Sequence, residues 1–168
     1  PLKLTNPEGE TQFFKVWEQV GVRVPHIIEE GRLDGNFYIL MEYVDAPTLG
    51  EAYSNEEMIE KGIYFEMGQI LSTMHTPETE GYGGVVDGKA EYSEFNDWLS
   101  SEYMERKFKY VEENKLLGDE QGSLSLVREI LLKHVNRGKS SYCHGDFVVS
   151  HIFVTHPLTV FDPSPQFN

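Results

Sequence analysis

Apolar residues recur at helical spacing over 8–20, where Phe13, Phe14, Trp17 and Val20 share one face and Gly21 stops the run. Pro25 then opens an extended stretch. Residues 26–33 and 36–44 are two β-like runs around Asp34-Gly35-Asn36, a turn signal that predicts a hairpin, and Asp45-Ala46-Pro47 breaks the second run. The spacing of Ile59, Ile63, Met67, Ile70 and Met74 predicts one long amphipathic helix over 56–74, followed by a glycine-rich loop at Gly81-Tyr82-Gly83-Gly84. Two more helices are expected over 95–117 and 124–135. The second turns Leu124, Val127, Leu131 and Val135 inward and ends at Gly138. Short β-like runs follow at 140–143, 152–154 and 158–161, the last two separated by His156-Pro157. Helix, hairpin, three helices and then strands with polar residues at their ends is an α+β order, not an alternating βαβ one.

Charge and composition narrow the function classes. A net charge of -14 argues against a nucleic-acid partner, which requires clustered Lys and Arg. It is compatible with a cationic substrate and equally with simple solubility. No apolar run approaches the roughly 20 residues that span a bilayer, and Pro1-Leu2-Lys3-Leu4-Thr5-Asn6 has no signal-peptide architecture. One cysteine, Cys143, excludes an internal disulfide framework and fits a reducing cytosol, so a cytoplasmic location away from membranes is expected.

The chemistry concentrates in the tail. One apolar run delivers His144-Gly145-Asp146 into a loop, a second leaves that loop, and a third ends at Phe161 and delivers Asp162-Pro163. Pairing of the last two runs as a hairpin brings Asp146 and Asp162 to one edge of the fold. Phosphoryl transfer needs two such carboxylates, one to orient the attacking hydroxyl and accept its proton, one to hold a magnesium ion.

These residues resemble the aminoglycoside phosphotransferase and choline kinase-like family, which shares the protein-kinase fold and phosphorylates small-molecule hydroxyls. The resemblance rests on His144-Gly145-Asp146, a residue five positions on, and an Asp after a hairpin. It extends to Val22-Arg23-Val24-Pro25, to Tyr38-Ile39-Leu40-Met41-Glu42-Tyr43-Val44, to Leu71-Ser72-Thr73-Met74-His75 and to Tyr82-Gly83. It implies a protein-kinase-like fold consisting mostly of the helical C-terminal lobe, with the end of the N-terminal lobe and the hinge. Residues 1–44 would be the remnant of the N-terminal lobe and 45–168 the C-terminal lobe. It further implies ATP as phosphoryl donor with Mg2+, Asp146 as catalytic base and Asp162 as principal metal ligand. His151 stands at the second metal position, Met41, Glu42 and Val44 at the adenine, and Glu10 on the helix that supports a strand lysine.

Three departures from the family stand out. His151 replaces the family's metal-binding Asn, and a ring nitrogen is a poor magnesium donor, which opens the site to Mn2+. The nucleotide-covering strands and their lysine belong before Glu10, where only nine residues stand and Lys3 has no evident strand around it, so a fragment of a longer protein, or a protein whose N-terminal strands are absent, is expected. Asp162 is followed by Pro163, as in the fructosamine kinase-like branch, and Ala46 replaces a customary hinge Gly. The leading expectation is an ATP-dependent phosphotransferase for an aminoglycoside-, fructosamine- or choline-like hydroxyl, with Asp97, Glu102 and Glu105 as candidates to face a cationic substrate. The alternatives are a catalytically degenerate kinase-like binding module and a transition-metal hydrolase built on His144, Asp146, His151 and Asp162.

Overall fold

The computed structural model describes residues 2–5, 9–86, 88–116, 123–134 and 139–167. The expected helix start at Glu8, the helix end at Leu117, and Val135 and Gly138 lie outside the described residues. Strand β1 (Leu2–Thr5) precedes helix α1 (Glu10–Gln19), whose Phe13, Phe14 and Trp17 are buried as their spacing demands. Strands β2 (Ile27–Leu33) and β3 (Asn36–Met41) form the expected hairpin. Asp34 and Gly35 both take positive φ, the conformation that matches the natural strand twist. β1 pairs antiparallel with the other edge of β3, so the sheet runs β1-β3-β2 and Lys3 lies opposite Ile39. The expectation that no strand surrounds Lys3 is therefore corrected. Four residues are too few to show a period, and this strand exists through its partner.

A short helix α2 (Leu49–Ala52) comes first, and the long helix expected over 56–74 is two pieces, α3 (Asn55–Glu60) and α4 (Ile63–Met74). Ser54 and Glu57 close a capping box that starts α3, and Gly62 in the left-handed conformation turns the chain before α4. Ile63, Met67 and Met74 are buried, whereas Ile59 lies on the other side of the break and is exposed. The glycine-rich loop is mostly strand: β4 (Glu78–Thr79), β5 (Tyr82–Val86) and β6 (Lys89–Tyr92). The helix expected over 95–117 is also divided, into α5 (Phe95–Leu99) and α6 (Glu102–Glu113), because the Ser101 hydroxyl accepts the Met104 N–H and restarts the turn. In α7 (Ser123–His134) Leu124 and Leu131 are half-buried but Val127 is exposed, contrary to its expected inward position.

The tail forms β7 (Ser140–Cys143), a single 3-10 turn at Val149–His151, β8 (Ile152–Phe153), β9 (Thr159–Val160) and β10 (Gln166–Phe167). β8 and β9 are an antiparallel pair, and a five-stranded sheet runs β4-β7-β10-β5-β6. One apolar cluster joins Phe13 and Trp17 of α1 to Leu49, Met67, Met74, Ile152, Val160 and Phe167. The helix bearing Glu10 and the strands bearing the tail's polar loops thus share a core. No helix among the described residues is long and apolar enough to cross a membrane.

Candidate active site

β7 ends at Cys143 and releases the chain into His144-Gly145-Asp146. Gly145 has φ +73°, and a Cβ there would sit 2.1 Å from the Ser164 carbonyl oxygen, so only glycine lets this loop lie against the segment after Asp162. The β8–β9 register pairs Ile152 with Val160, which leaves His151 and Phe161 together at one end, where the Phe161 N–H donates to the His151 carbonyl at 3.0 Å. Asp162 follows with φ +54°, a left-handed backbone that Asp tolerates better than most residues.

His144 joins the two loops. It is buried, its Nε2 lies 3.0 Å from the Phe161 carbonyl, and its Nδ1 faces the Asp146 N–H at 3.4 Å. A carbonyl only accepts, so the ring proton is on Nε2 and Nδ1 accepts from Asp146. Burial pushes the His144 pKa down, and the Phe161 carbonyl and the two nearby carboxylates oppose that shift without overcoming it. The Ser164 N–H donates to the His144 carbonyl at 2.7 Å, and the ring lies parallel to Trp17 of α1 at 5.7 Å. With both nitrogens engaged, His144 has no lone pair for a metal, which removes it from the four-residue hydrolase set. Among the described residues no group of three or more His, Cys, Asp or Glu side chains is arranged as a metal cage.

His151 stands between the two carboxylates. Its Nδ1 lies 3.0 Å from the Asp146 carbonyl oxygen and 3.5 Å from Asp146 Oδ2, while its Nε2 lies 3.6 Å from Asp162 Oδ2. The carbonyl again requires the proton on Nδ1, so the neutral ring presents the Nε2 lone pair toward the Asp162 carboxylate. Two donors at this separation fit one divalent ion, since each bond would be roughly 2.0–2.2 Å long. They are a partial shell that leaves room for oxygen ligands from outside the protein.

Beside Asp162 opens a cleft of about 400 Å³ lined by Met41, Glu42, Val44, Phe153, Phe161 and Asp162. Phe153 and Phe161 stack at 4.2 Å and form an apolar wall. Buried Glu10, the first residue of α1, reaches the same cleft, whereas Asp146 and His151 lie outside its lining. Glu42 explains how a strand end becomes a binding edge. Its N–H donates to the His26 carbonyl at 2.8 Å, but the His26 N–H goes to the Glu42 carboxylate at 3.1 Å instead of the Glu42 carbonyl. Arg23 holds that carboxylate at 2.8 Å and also donates from Nε to Thr159 Oγ1 at 3.2 Å. Among the described residues neither the Glu42 carbonyl nor the Val44 N–H takes a backbone hydrogen bond.

The structure therefore brings Asp146, His151 and Asp162 together, and separately gathers Met41, Glu42, Val44 and Glu10 around the cleft that Asp162 borders. Arg23, Phe153, Phe161 and Trp17 are contributors that spacing did not reveal. Nothing in the sequence pairs 23 with 42, and Phe153 and Phe161 read only as strand apolars. Of the residues proposed to face a substrate, Glu105 is paired with Arg128.

Known proteins share this fold. Residues 3–163 match the phosphotransferase enzyme family, APH. A thermostable mutant of aminoglycoside phosphotransferase APH(4)-Ia in its apo form superposes with a TM-score of 0.65 at 13% identity, over 99% of this chain and 60% of that one. The ternary complex of such a mutant with ADP and hygromycin B gives 0.61 at 14% identity, over 95% and 56%. A putative fructosamine-3-kinase from Haemophilus somnus 129PT gives 0.56 at 15% identity, over 99% and 59%. No curated protein sequence matches the chain significantly. The chain thus spans no more than 60% of the length of these solved structures and has their mixed helix-and-sheet, protein-kinase-like fold. With a family match that runs through nearly all of its residues, the chain belongs to the phosphotransferase enzyme family.

Proposed function

We propose that this chain carries the active site of an ATP-dependent phosphotransferase that acts on a hydroxyl of a small molecule. The observation that carries this reading is the placement of Asp146 and Asp162 on either side of His151, with Asp162 at the border of an apolar cleft beside the hinge. Adenine would lie in that cleft, against Met41, with the Glu42 carbonyl and the Val44 N–H as its backbone partners. Asp146, whose carboxylate is largely exposed, would orient the acceptor hydroxyl and take its proton. Asp162 and His151 would hold a divalent ion, Mg2+ or Mn2+, whose charge would offset that of the nucleotide phosphates. Lys3 stands on the strand next to the hinge strand, and Glu10 keeps the supporting place that the resemblance gives it. A lysine-bearing strand at this place weakens one ground for the degenerate binding module.

The acidic chain is compatible with a cationic acceptor, and the solved structures it resembles include an aminoglycoside enzyme in complex with hygromycin B and a putative fructosamine kinase. Aminoglycosides, fructosamine-type sugar amines and choline-like alcohols are accordingly the acceptors to try. The test is transfer of label from γ-labelled ATP to that panel by the chain and by Asp146→Asn. Transfer that falls by roughly 10²–10⁴-fold in the variant supports the reading. Transfer by both at equal rate, or by neither, contradicts it.

A further inference from the structure

We propose that Thr159 of β9, which does not line the cleft, is a positioning residue for the nucleotide. Acting through Arg23, it sets the spacing between the hinge edge at Glu42 and the strand that runs on into Phe161 and Asp162. The proposal rests on the phosphotransferase reading and names a residue that shapes its nucleotide site.

Thr159 is fully buried, and its hydroxyl has a fixed place in a chain of donors. Thr155 Oγ1 donates to the Pro157 carbonyl at 2.6 Å, which uses its one proton. The 2.7 Å bond between the two threonine hydroxyls therefore runs from Thr159 to Thr155. Thr159 Oγ1 in turn accepts from Arg23 Nε at 3.2 Å. Each hydroxyl thus donates once and accepts once. Valine at 159 would keep nearly the same shape and break both of the Thr159 bonds.

Arg23 carries this position to the hinge. Its carbonyl accepts from the Val160 N–H at 2.9 Å, and Val22 and Val24 on either side are buried, so its backbone is anchored to β9. Its Nε on Thr159 and its Nη2 on Glu42 Oε1, at 2.8 Å, belong to one planar group whose donors keep fixed directions. Seating Nε on Thr159 therefore sets where the Glu42 carboxylate lies. That carboxylate takes the His26 N–H at 3.1 Å in place of the Glu42 carbonyl. Two residues beyond Val160, Asp162 lines the same cleft as Glu42. A nucleotide that meets Glu42 with its base and Asp162 with its metal-bound phosphates spans this spacing, and a spacing set in advance removes ordering from the cost of binding.

The experiment is calorimetry with ADP and Mg2+ on chains that are folded at the assay temperature. Thr159→Val should weaken ADP binding by roughly 3–10-fold, and Thr159→Ser, which keeps the hydroxyl, should restore it to within about twofold. In a chain carrying both Thr159→Val and Arg23→Ala, affinity should fall no further than in Arg23→Ala alone, because the two act as one unit. Arg23→Lys gives a second route that holds even if Thr159→Val misfolds. A single ammonium cannot serve Thr159 and Glu42 in their two directions, so its loss should match that of Arg23→Ala. Unchanged ADP affinity in a folded Thr159→Val chain, losses that multiply in the double variant, or full affinity in Arg23→Lys overturns the inference and leaves the phosphotransferase reading in place. A wild-type chain that binds no ADP overturns both.

Discussion

Gly145→Ala probes the join between the two carboxylate loops. Alanine at 145 must keep φ near +73°, which costs an L-residue roughly 1–2 kcal/mol. Its Cβ would also fall 2.1 Å from the Ser164 carbonyl oxygen, far inside contact distance, so one loop must retreat from the other. The bond first lost in that retreat is the 2.7 Å bond from the Ser164 N–H to the His144 carbonyl, a loss of about 1 kcal/mol. The sum is roughly 2–3 kcal/mol, or a fall of roughly 4–12 °C in Tm at the few degrees per kcal/mol typical of a chain this size. Gly35→Ala is the control, because Gly35 has φ +83° but nothing within 4 Å of an added Cβ, leaving only the conformational cost. Thermal unfolding of both variants with and without ADP and Mn2+ is the assay. Gly145→Ala should be the less stable and should lose most of the ligand-induced rise, while Gly35→Ala keeps it. A Gly145→Ala chain as stable as Gly35→Ala, with a full ligand response, would refute the reasoning.

His144 makes stability depend on pH. Its folded pKa lies below its ordinary value of 6.5, so the unfolded chain binds the proton more readily, and stability is full above that value and falls as pH drops through the folded pKa. Denaturant midpoints between about pH 7 and 5 should show this fall, and it should flatten in a folded His144→Asn chain; equal slopes count against the assignment. Arg23→Ala removes a partly exposed ion pair from Glu42 and should cost under about 1 kcal/mol of stability. It should nevertheless weaken ADP binding several-fold by calorimetry, since Glu42 no longer has its brace; unchanged affinity contradicts the hinge argument. Ser101→Ala removes the cap of α6 and should cost about 1 kcal/mol, seen as faster amide exchange confined to that helix, with ADP binding untouched.

What the chain disclosed in advance follows from where its signals are local. The hairpin around Asp34-Gly35 and the β8–β9 pair around His156-Pro157 carry their turn chemistry in adjacent residues, so both were legible and with them the convergence of Asp146 and Asp162. The break at Gly62 was hidden because Ile59 and Ile63 keep helical spacing across a turn that reverses their faces. β5 was hidden for the opposite reason. Gly83 and Gly84 read as loop, yet Gly83 sits in a strand where an added Cβ would press on Trp98 at 2.9 Å. The strand around Lys3 depends on its pairing with β3, and the tie from Arg23 to Glu42 depends on a tertiary contact that no spacing encodes. His151 was legible as a departure from the family pattern, but only the fold shows that its ring lies between the two carboxylates.

The central claim is a nucleotide–metal site at Asp162, and its most direct test is thermal unfolding with ATP and either Mg2+ or Mn2+, for the chain and for Asp162→Asn. Asparagine suits the positive φ at 162, so the variant removes charge and leaves the backbone in place. A ligand at about 100 times its Kd adds about 2.7 kcal/mol, a rise of roughly 5–11 °C for a chain this size. The account predicts that rise in the wild-type chain and its loss in Asp162→Asn. No rise with either metal, or an equal rise in both chains, would contradict it.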